Sequence, residues 1–344
     1  MITQKDVARL AGVSVSTVSR VLNESNLVDE KTKQIVESAI KKLNYKPNLV
    51  AYGLRAKSSK LVGLILPEMN HYTYASFAQF VEGSCMEKGY SMLLGLHHNE
   101  CELEKSLVDE FQRRNVDGLI LCLAIDEQNL SNNLMEYISV PTVMYERTFN
   151  NNRMGGIRFD NYKAGKMAAK YLAGLNHKNI ACTVGPMGMH YVQDRFFGFR
   201  DELTEQGIEI KKENVLECDF NYRVPNFVSG EDAARAFLDG RSDRDIPTAI
   251  WAHNDNVASG VIKELHRRKI KIPEEISVMG VDNIGLTDMI YPSLTTIGQP
   301  LKNMAEKSVE MIMEEIELGE EYKADIVIME PELIIRESTG KCRS

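Results

Sequence analysis

Hydrophobic residues recur every three or four positions through the first 45 residues, the spacing of helices that bury one face. The segment 4–23, QKDVARLAGVSVSTVSRVLN, predicts two short helices joined by a tight turn. Gly12 stands at the turn, where a positive φ costs glycine little, and Ser14 can cap the second helix. Asp29 predicts the start of a third helix that ends near Asn44. The apolar face is assigned to Val7, Leu10, Val13, Val18, Leu22, Ile35, Val36, Ala39, Ile40 and Leu43.

From residue 61 onward, short apolar runs alternate with amphipathic stretches. Continuous apolar runs are typical of strands buried on both faces, so the alternation predicts an α/β core with parallel sheets. Ten strands favour two Rossmann-like subdomains with a cleft at the carboxyl ends of their strands. The predicted strands are 61–67, 90–96, 117–122, 140–145, 156–159, 179–184, 213–218, 248–252, 276–280 and 326–329. The predicted helices are 74–88, 101–114, 161–175, 193–206, 228–239, 256–269 and 301–317.

Charge is distributed unevenly between the head and the rest of the chain. The net charge of −8 divides into +6 for residues 1–60 and −14 for the remainder. A basic excess of this kind is typical of a surface that binds a polyanion. It lies on the unit with two helices around a tight turn, a shape that can place one helix in the DNA major groove.

Several classes of protein are disfavoured by what the sequence lacks. No apolar run approaches the roughly 20 residues of a membrane span, and the N-terminus has no signal-peptide pattern, so we expect a cytoplasmic protein without membrane contact. The six cysteines form no CxxC pair, and the seven histidines form no HExxH motif, so no metal site is predicted. No glycine-rich phosphate loop follows a strand, and no GxSxG motif is present, so we expect neither a cofactor nor an enzyme.

Ten blocks in order along the chain resemble bacterial transcription repressors of the LacI/GalR (lactose/galactose repressor) family. They are DVARLAGVSVSTVSRVLN (6–23), LNYKPN (43–48), NLVAYGLR (48–55), VGLILPEMN (62–70), RRNVDGLIL (113–121), FDNYKAG (159–165), DRFFGFRDEL (194–203), AIWAHNDNVASG (249–260), ISVMGVDN (276–283) and SLTTIGQP (293–300). The resemblance implies an all-α helix-turn-helix head, a hinge helix and an effector-binding core built like a periplasmic binding protein. It also implies a homodimer on a pseudo-palindromic operator of double-stranded DNA.

The implied domain limits are 1–46 for the DNA-binding head, 47–60 for the hinge helix and linker, and 61–344 for the core. Within the core, the first subdomain is expected at about 61–159 and 294–321, and the second at about 160–293 and 322–344.

The resemblance places Val15, Ser16 and Arg20 where relatives read bases. Arginine can donate two hydrogen bonds to guanine, and valine can contact a thymine methyl group. Thr3, Ser14, Thr17, Ser19 and Asn23 are suited to phosphate contacts, although Ser14 has capping as an alternative role.

The hinge is expected to contact DNA through Ala51 and Leu54, with Leu54 as an apolar wedge in the minor groove. Tyr52 and Gly53 depart from the basic residue and the serine usual in the family. Because Gly53 makes this short helix harder to order, we expect tight operator binding to depend more strongly on the effector.

The resemblance also implies an effector site of polar and aromatic side chains near the strand ends. The expected residues are Asn70, Tyr72, Asp160, Arg195, Phe220, Asn254, Asp255, Asp282 and Gln299, with Tyr74, Tyr145 and Tyr222 as further candidates. Asp160 and Asp255 have helix capping as an alternative role, and Phe220 has core packing. Mixed carboxylate, amide and arginine groups favour a sugar or sugar phosphate. A purine-like ligand between Phe220 and Tyr72, or a phosphoprotein corepressor, remains an alternative.

Two other classes of protein compete with the regulator. A solute-binding transport protein would share the core but would need an export signal and no basic head. An enzyme would need an activated nucleophile or an acid/base pair that no motif here supplies. The sequence therefore favours a transcriptional repressor controlled by a small molecule.

Overall fold

The computed structural model describes residues 2–22, 27–45, 58–124, 137–146, 154–218, 226–242 and 244–342. The chain divides into two compact units, Met1–Ser59 and Lys60–Ser344. Asn23, Ala51, Tyr52, Gly53, Leu54, Phe220 and Tyr222, and with them the predicted hinge helix, lie outside the described residues. Within the described part of the chain, no helix is long and apolar enough to cross a membrane.

The first unit contains the three predicted helices: α1 (Gln4–Ala11), α2 (Val15–Leu22) and α3 (Glu30–Leu43). Their starts and ends follow the predicted chemistry. Gly12 has a φ of 68° after α1, the Ser14 hydroxyl accepts from the Thr17 amide at 3.1 Å, and Asp29 accepts from the Thr32 amide at 3.0 Å. Local capping and helix periodicity therefore explain this unit.

Two residues of the predicted apolar face are exposed. Val7, Val18 and Val36 have no exposed surface, whereas Leu10 is 51% exposed and Ile35 is 45% exposed. The assignment of Leu10 and Ile35 to the core is wrong because two eight-residue helices and one longer helix can cover only a narrow stripe of each other.

The second unit contains two six-stranded sheets. The strands of the first are β1 (Leu61–Leu66), β2 (Ser91–Leu96), β3 (Gly118–Leu121), β4 (Thr142–Tyr145), β5 (Gly155–Phe159) and β11 (Ile326–Met329). Those of the second are β6 (Ile180–Val184), β7 (Val215–Glu217), β8 (Ala249–Trp251), β9 (Ser277–Asp282), β10 (Thr295–Gly298) and β12 (Glu332–Ile334). The strand order is β11-β5-β4-β3-β1-β2 in the first sheet and β12-β10-β9-β8-β6-β7 in the second.

Helices cover both faces of each sheet, which explains the apolar runs. In β1, Leu64 packs into the cluster beneath α4 (Tyr72–Glu87) and α10 (Leu301–Leu318), and Ile65 packs beneath α5 (Cys101–Arg113). In the second sheet, Trp251 and Ile250 likewise face opposite layers. The helices of those layers are α6 (Asn161–Gly174) with α7 (His190–Glu205), and α8 (Asn226–Leu238) with α9 (Asp255–Arg267). The predicted α/β core of two Rossmann-like subdomains is confirmed.

The assignment of the last strands differs from the sequence expectation. β10 and β12 were not predicted, and β10 pairs with β9 in the second sheet rather than belonging to the first subdomain. β11, expected in the second subdomain, pairs with β5 in the first sheet. The pattern of a three- or four-residue strand does not specify its neighbour, so sequence reasoning could not allocate these strands. As a result, the chain passes between the sheets three times: between β5 and β6, after β10, and between β11 and β12.

Candidate functional site

The carboxyl ends of strands from both sheets open into one cleft, with an empty volume of about 860 Å³ that includes its open mouth. The first sheet and its loops contribute Pro67, Glu68, His71, Thr73, Tyr74, Asn99, Tyr145 and Glu146. The second contributes Thr183, Val184, Gly185, Tyr191, Val192, Arg195, Phe196, Trp251, His253, Asn254, Asp282 and Gln299. Position and composition are those of a ligand site in an open α/β fold.

Arg195 is the buried cation of the cleft. Its Nε and Nη2 donate to Oδ1 of Asn161 at 2.9 and 2.7 Å, and its Nη1 donates to the carbonyl of His253. Its helix, α7, lies tightly against α6, since a Cβ on Gly165 would come within 2.0 Å of the Arg195 carbonyl oxygen. The protein therefore holds the guanidinium in place before any ligand arrives.

Asp282 ends β9 with a φ of 121°, a left-handed conformation that strains a residue with a side chain. Its Oδ2 accepts from the Thr73 hydroxyl at 3.0 Å, and its Oδ1 accepts from Nε2 of Gln299 at 2.7 Å. Burial raises the pKa of Asp282, and nearby His71 and Arg195 oppose the rise. Because Thr73 lies in the first turn of α4, this carboxylate joins both walls of the cleft.

Asn254 and Asp255 are neighbours with different roles. Asn254 lines the cleft and caps α9, its Oδ1 accepting from the Val257 amide at 2.8 Å, while its Nδ2 lies 3.4 Å from Nε2 of His71. Asp255 points away, accepting from the Thr296 hydroxyl at 2.6 Å and the Ile284 amide at 3.1 Å. Asp255 is therefore not the helix cap that sequence reasoning offered as its alternative, because the cap is Asn254.

Three other expected effector residues are not among those lining the cleft as the structure describes it. Asn70 is exposed, Tyr72 is 51% exposed, and Asp160 caps α6 by accepting from the Lys163 amide at 2.9 Å. The capping alternative for Asp160 is thus the contact observed. Arg195, Asn254, Asp282 and Gln299 do line the cleft, as do Tyr74 and Tyr145. Of the two rings of the purine-like alternative, Tyr72 is not among the described lining residues, and Phe220 lies outside the residues that the structure describes.

Sequence reasoning missed several lining groups. Glu146 directly follows β4 with a φ of 63°; its Oε1 accepts from the Phe159 amide at 2.8 Å, and its Oε2 accepts from Nδ2 of Asn161 at 3.4 Å. Burial raises the pKa of Glu146 to about 7. Burial and the charge of Arg195 lower the pKa of His253 to about 3, so this imidazole is neutral. Both residues follow strand ends, and that position is the signal that could have found them.

The cleft is equipped for hydrogen bonding. Across the described ranges, no group of three or more His, Cys, Asp or Glu side chains could hold a metal ion. One fixed cation, three carboxyl groups, three side-chain amides and several aromatic rings line the space. Such a set can orient a polar ring.

In the first unit, α2 presents a polar face to solvent. Val18 is buried, whereas Val15 is 39% exposed and Ser16 and Arg20 are exposed. The Ser14 hydroxyl bonds to the hydroxyls of Ser16 and Thr17 at 2.7 and 2.8 Å. At the start of α1, the amide and the hydroxyl of Thr3 both donate to Oδ2 of Asp6, at 2.9 and 2.7 Å. Thr17 and Ser19 are half-buried on the same helix.

A helix-turn-helix unit and a two-sheet core with a polar cleft, in one chain, define the class of ligand-binding DNA regulators. The model of "Bacterial regulatory proteins, lacI family" matches residues 3–48, and that of "Periplasmic binding protein-like domain" matches residues 169–339. The chain belongs to the LacI family of bacterial transcriptional regulators. The predicted resemblance and fold class are confirmed.

Relatives and solved structures span nearly the whole chain. It is 32% identical over 342 residues to the HTH-type transcriptional repressor PurR of Vibrio parahaemolyticus, covering 99% of each. It is 31% identical over 337 residues to the HTH-type transcriptional regulator DegA of Bacillus subtilis, covering 97% of each. A lac repressor dimer bound to operator and the anti-inducer ONPF has a TM-score of 0.85 and 26% identity, covering 98% of this chain and 99% of that one. A CelR–cellobiose complex has a TM-score of 0.71 and 27% identity, covering 98% and 100%.

Proposed function

We propose that this regulator represses transcription by binding a pseudo-palindromic operator as a homodimer, and that a sugar or sugar phosphate in the cleft controls this binding. In this proposal residues 1–46 read DNA, 47–60 form the hinge, and 61–344 bind effector and dimerise. The cleft binds its ligand without turnover, and the protein works in the cytoplasm, where its operator is.

The cleft's polar set is the observation that carries the sugar assignment. Arg195 and Asp282 are held by protein contacts, and the buried Oε1 of Gln299 has no hydrogen-bond partner among the described residues. A hydroxyl group can donate to that oxygen and also accept from the guanidinium. Tyr74 and Phe196 supply aromatic surfaces on opposite walls. Solved relatives with cellobiose (27% identity) and D-xylulofuranose (28% identity) support the same ligand class.

The exposed face of α2 supports the DNA assignment. Val15, Ser16 and Arg20 are accessible together, as base-reading side chains must be. Thr3, Ser14, Thr17, Ser19 and Asn23 are assigned to phosphates, and Ala51 and Leu54 to the minor groove. The basic balance of residues 1–60 and the operator-bound lac repressor neighbour both support this proposal.

Contacts across the cleft offer a means of coupling. The Thr73–Asp282 hydrogen bond exists only while the two walls are close, and a ligand that contacts residues of both walls changes the balance of closed and open forms. A coupling of about 1–3 kcal/mol between effector and operator is typical of such devices.

Fluorescence anisotropy on pseudo-palindromic duplexes, with and without cellobiose, D-xylulose and sugar phosphates, tests the proposal. The chain's single tryptophan, Trp251, lines the cleft, so its emission reports ligand entry in the same samples. Salt-sensitive DNA binding that changes with one sugar, together with altered Trp251 emission, supports the proposal. DNA binding that responds only to a purine or to a phosphoprotein refutes the sugar assignment. Absence of DNA binding under every condition refutes the regulator mechanism.

A further inference from the structure

Two buried polar groups at the strand ends of the cleft have no hydrogen-bond partner among the described residues: Oη of Tyr145 and Nε1 of Trp251. Each residue is the last of its strand, Tyr145 in β4 of the first sheet and Trp251 in β8 of the second. Both line the cleft and are at most 1% exposed. Each sheet therefore contributes to the cleft one lining residue whose buried polar atom has no partner among the described residues.

Tyr145 is held by a stacked neighbour. Its ring lies 3.7 Å from that of Phe77 in α4, with 15° between the ring planes. Burial, followed by the charge of Glu146, raises the pKa of Tyr145 well above its ordinary value, so the hydroxyl keeps its proton. The phenol is therefore a hydrogen-bond donor at the inner wall, and one that can also accept.

Trp251 is held in the same way. Its indole lies 4.1 Å from the ring of Phe199 in α7, with 16° between the planes. An indole nitrogen can only donate. Because neighbours pack both rings, neither can turn its polar atom towards bulk water without breaking a stack.

A buried donor without a partner destabilises the folded protein, and a protein keeps such a group where something else satisfies it. At Tyr145, phenylalanine would give the same ring packing without this cost. We infer that Tyr145 and Trp251 form an inner subsite that receives hydrogen-bond acceptors of the effector, one donor from each sheet.

This inner subsite rests on the proposed ligand-binding role of the cleft and narrows the ligand class. The end of the effector that enters first carries oxygen acceptors, such as the ring oxygen and hydroxyls of a carbohydrate. An effector with an alkyl or unsubstituted aryl inner end is rejected, because it would leave both donors buried without partners. A ligand bonded to both donors also ties the two subdomains together.

The first test needs no ligand and compares two tyrosine hydroxyls in thermal unfolding. Tyr145→Phe removes an unpartnered hydroxyl, so the unfolding temperature is expected to stay or rise. Tyr171→Phe is the matched control, since the Tyr171 hydroxyl lies 2.9 Å from Oγ1 of Thr339. Loss of that partnered hydroxyl is expected to lower the unfolding temperature by about 2–4 °C. If Tyr145→Phe is destabilised as much as the control, its hydroxyl already has a protein partner and the inference is overturned.

The second test follows the single indole N–H signal in ¹H–¹⁵N spectra of the full chain during titration with cellobiose, D-xylulose and sugar phosphates. For a sugar that raises the unfolding temperature, the indole proton is expected to move downfield, and Tyr145→Phe to bind it about threefold to tenfold more weakly. A sugar that binds with the indole signal unmoved and with equal affinity for Tyr145→Phe overturns the inner subsite. If no sugar in the panel binds, the sugar assignment fails, and the ligand-free comparison decides on the subsite by itself.

Discussion

The hydroxyl of Thr73, at the start of α4, donates to the carboxylate of Asp282, at the end of β9, across 3.0 Å. Thr73 belongs to the layer on the first sheet and Asp282 to the second sheet, so one hydrogen bond joins the two walls of the cleft. Both residues are buried. A change at either residue should therefore alter the closure of the core as well as its stability.

Thr73→Val keeps the shape of the side chain but removes the donor. We expect the ligand-free core to lose about 1 kcal/mol, or about 2–4 °C of unfolding temperature, because Oδ2 of Asp282 loses its partner. Differential scanning calorimetry measures this effect. Thr73→Ser retains the hydroxyl and should behave like the wild type. Equal unfolding temperatures for the valine and wild-type proteins would show that the hydrogen bond contributes nothing to the stability of the ligand-free core.

The free energy of unfolding of the core is expected to depend on pH because of Glu146. Its pKa is raised to about 7 by burial, so the folded state binds a proton that the unfolded state releases above about pH 4.5. The stabilising effect is full below pH 4.5 and disappears as the pH rises through about 7. Since the residue is only half-buried, we expect a loss of roughly 1–3 kcal/mol between pH 5 and 8.

Glu146→Gln cannot titrate and should flatten this part of the profile, measured as the free energy of unfolding in urea at several pH values. The slope is the informative quantity, because glutamine changes the contacts with Phe159 and Asn161 at every pH. An unchanged slope would assign the pH dependence to other groups.

Gly165 positions the helix that carries Arg195. A Cβ there would come within 2.0 Å of the Arg195 carbonyl oxygen and 2.7 Å of the Phe199 amide, both backbone atoms. Gly165→Ala should push α7 outward, destabilise the core by about 1–3 kcal/mol and weaken effector binding. Gly174→Ala is the control on the same helix, because its Cβ would meet nothing within 4 Å. Chemical denaturation and ligand titration of the two variants should separate them, and equal behaviour would contradict the close crossing.

Replacement of Arg20 is expected to reduce the discrimination between the cognate operator and unrelated DNA. Arg20→Ala should weaken binding to the cognate operator by about 1–3 kcal/mol, and weaken binding to unrelated DNA much less. Arg9→Ala removes the same charge from α1, where Arg9 pairs with Asp6 at 3.6 Å, and should leave the ratio of the two affinities unchanged. Anisotropy at one fixed salt concentration gives both ratios. A similar loss on both DNAs for Arg20→Ala would assign Arg20 to a phosphate.

Local chemistry explains what the sequence could predict. The caps Ser14 and Asp29, the positive φ of Gly12 and the apolar runs of the strands are properties of a few neighbouring residues, and the structure confirms them. The neighbour of β10 or β11 in a sheet is a long-range property, and strands of four residues carry too little pattern to indicate it.

In the cleft, too, the local sequence pattern does not specify which of two adjacent residues faces the ligand space. The rule that ligands lie beyond strand ends finds Asn254 and Asp282, but the adjacent Asp255 turns away to bond Thr296. In the sequence, Trp251 looks like an ordinary buried strand residue. Only its indole N–H, which has no partner among the described residues, distinguishes it as a candidate for ligand contact. The sequence predicts where the cleft lies. Which residues line it depends on the direction of each side chain and on which buried polar atoms have hydrogen-bond partners, and only the structure shows these.

The chain passes between the two sheets three times, and this affects which segments recombination can exchange as a unit. Neither half of the core is a contiguous segment, since β11 returns to the first sheet after β10 has completed its place in the second. Recombination within residues 61–344 would have to exchange several pieces at once to yield a whole half. The compact head, by contrast, is one continuous stretch ending before residue 60. Exchange of that one stretch would therefore replace the whole helical unit, whereas no single stretch within residues 61–344 contains all the strands of one sheet without strands of the other.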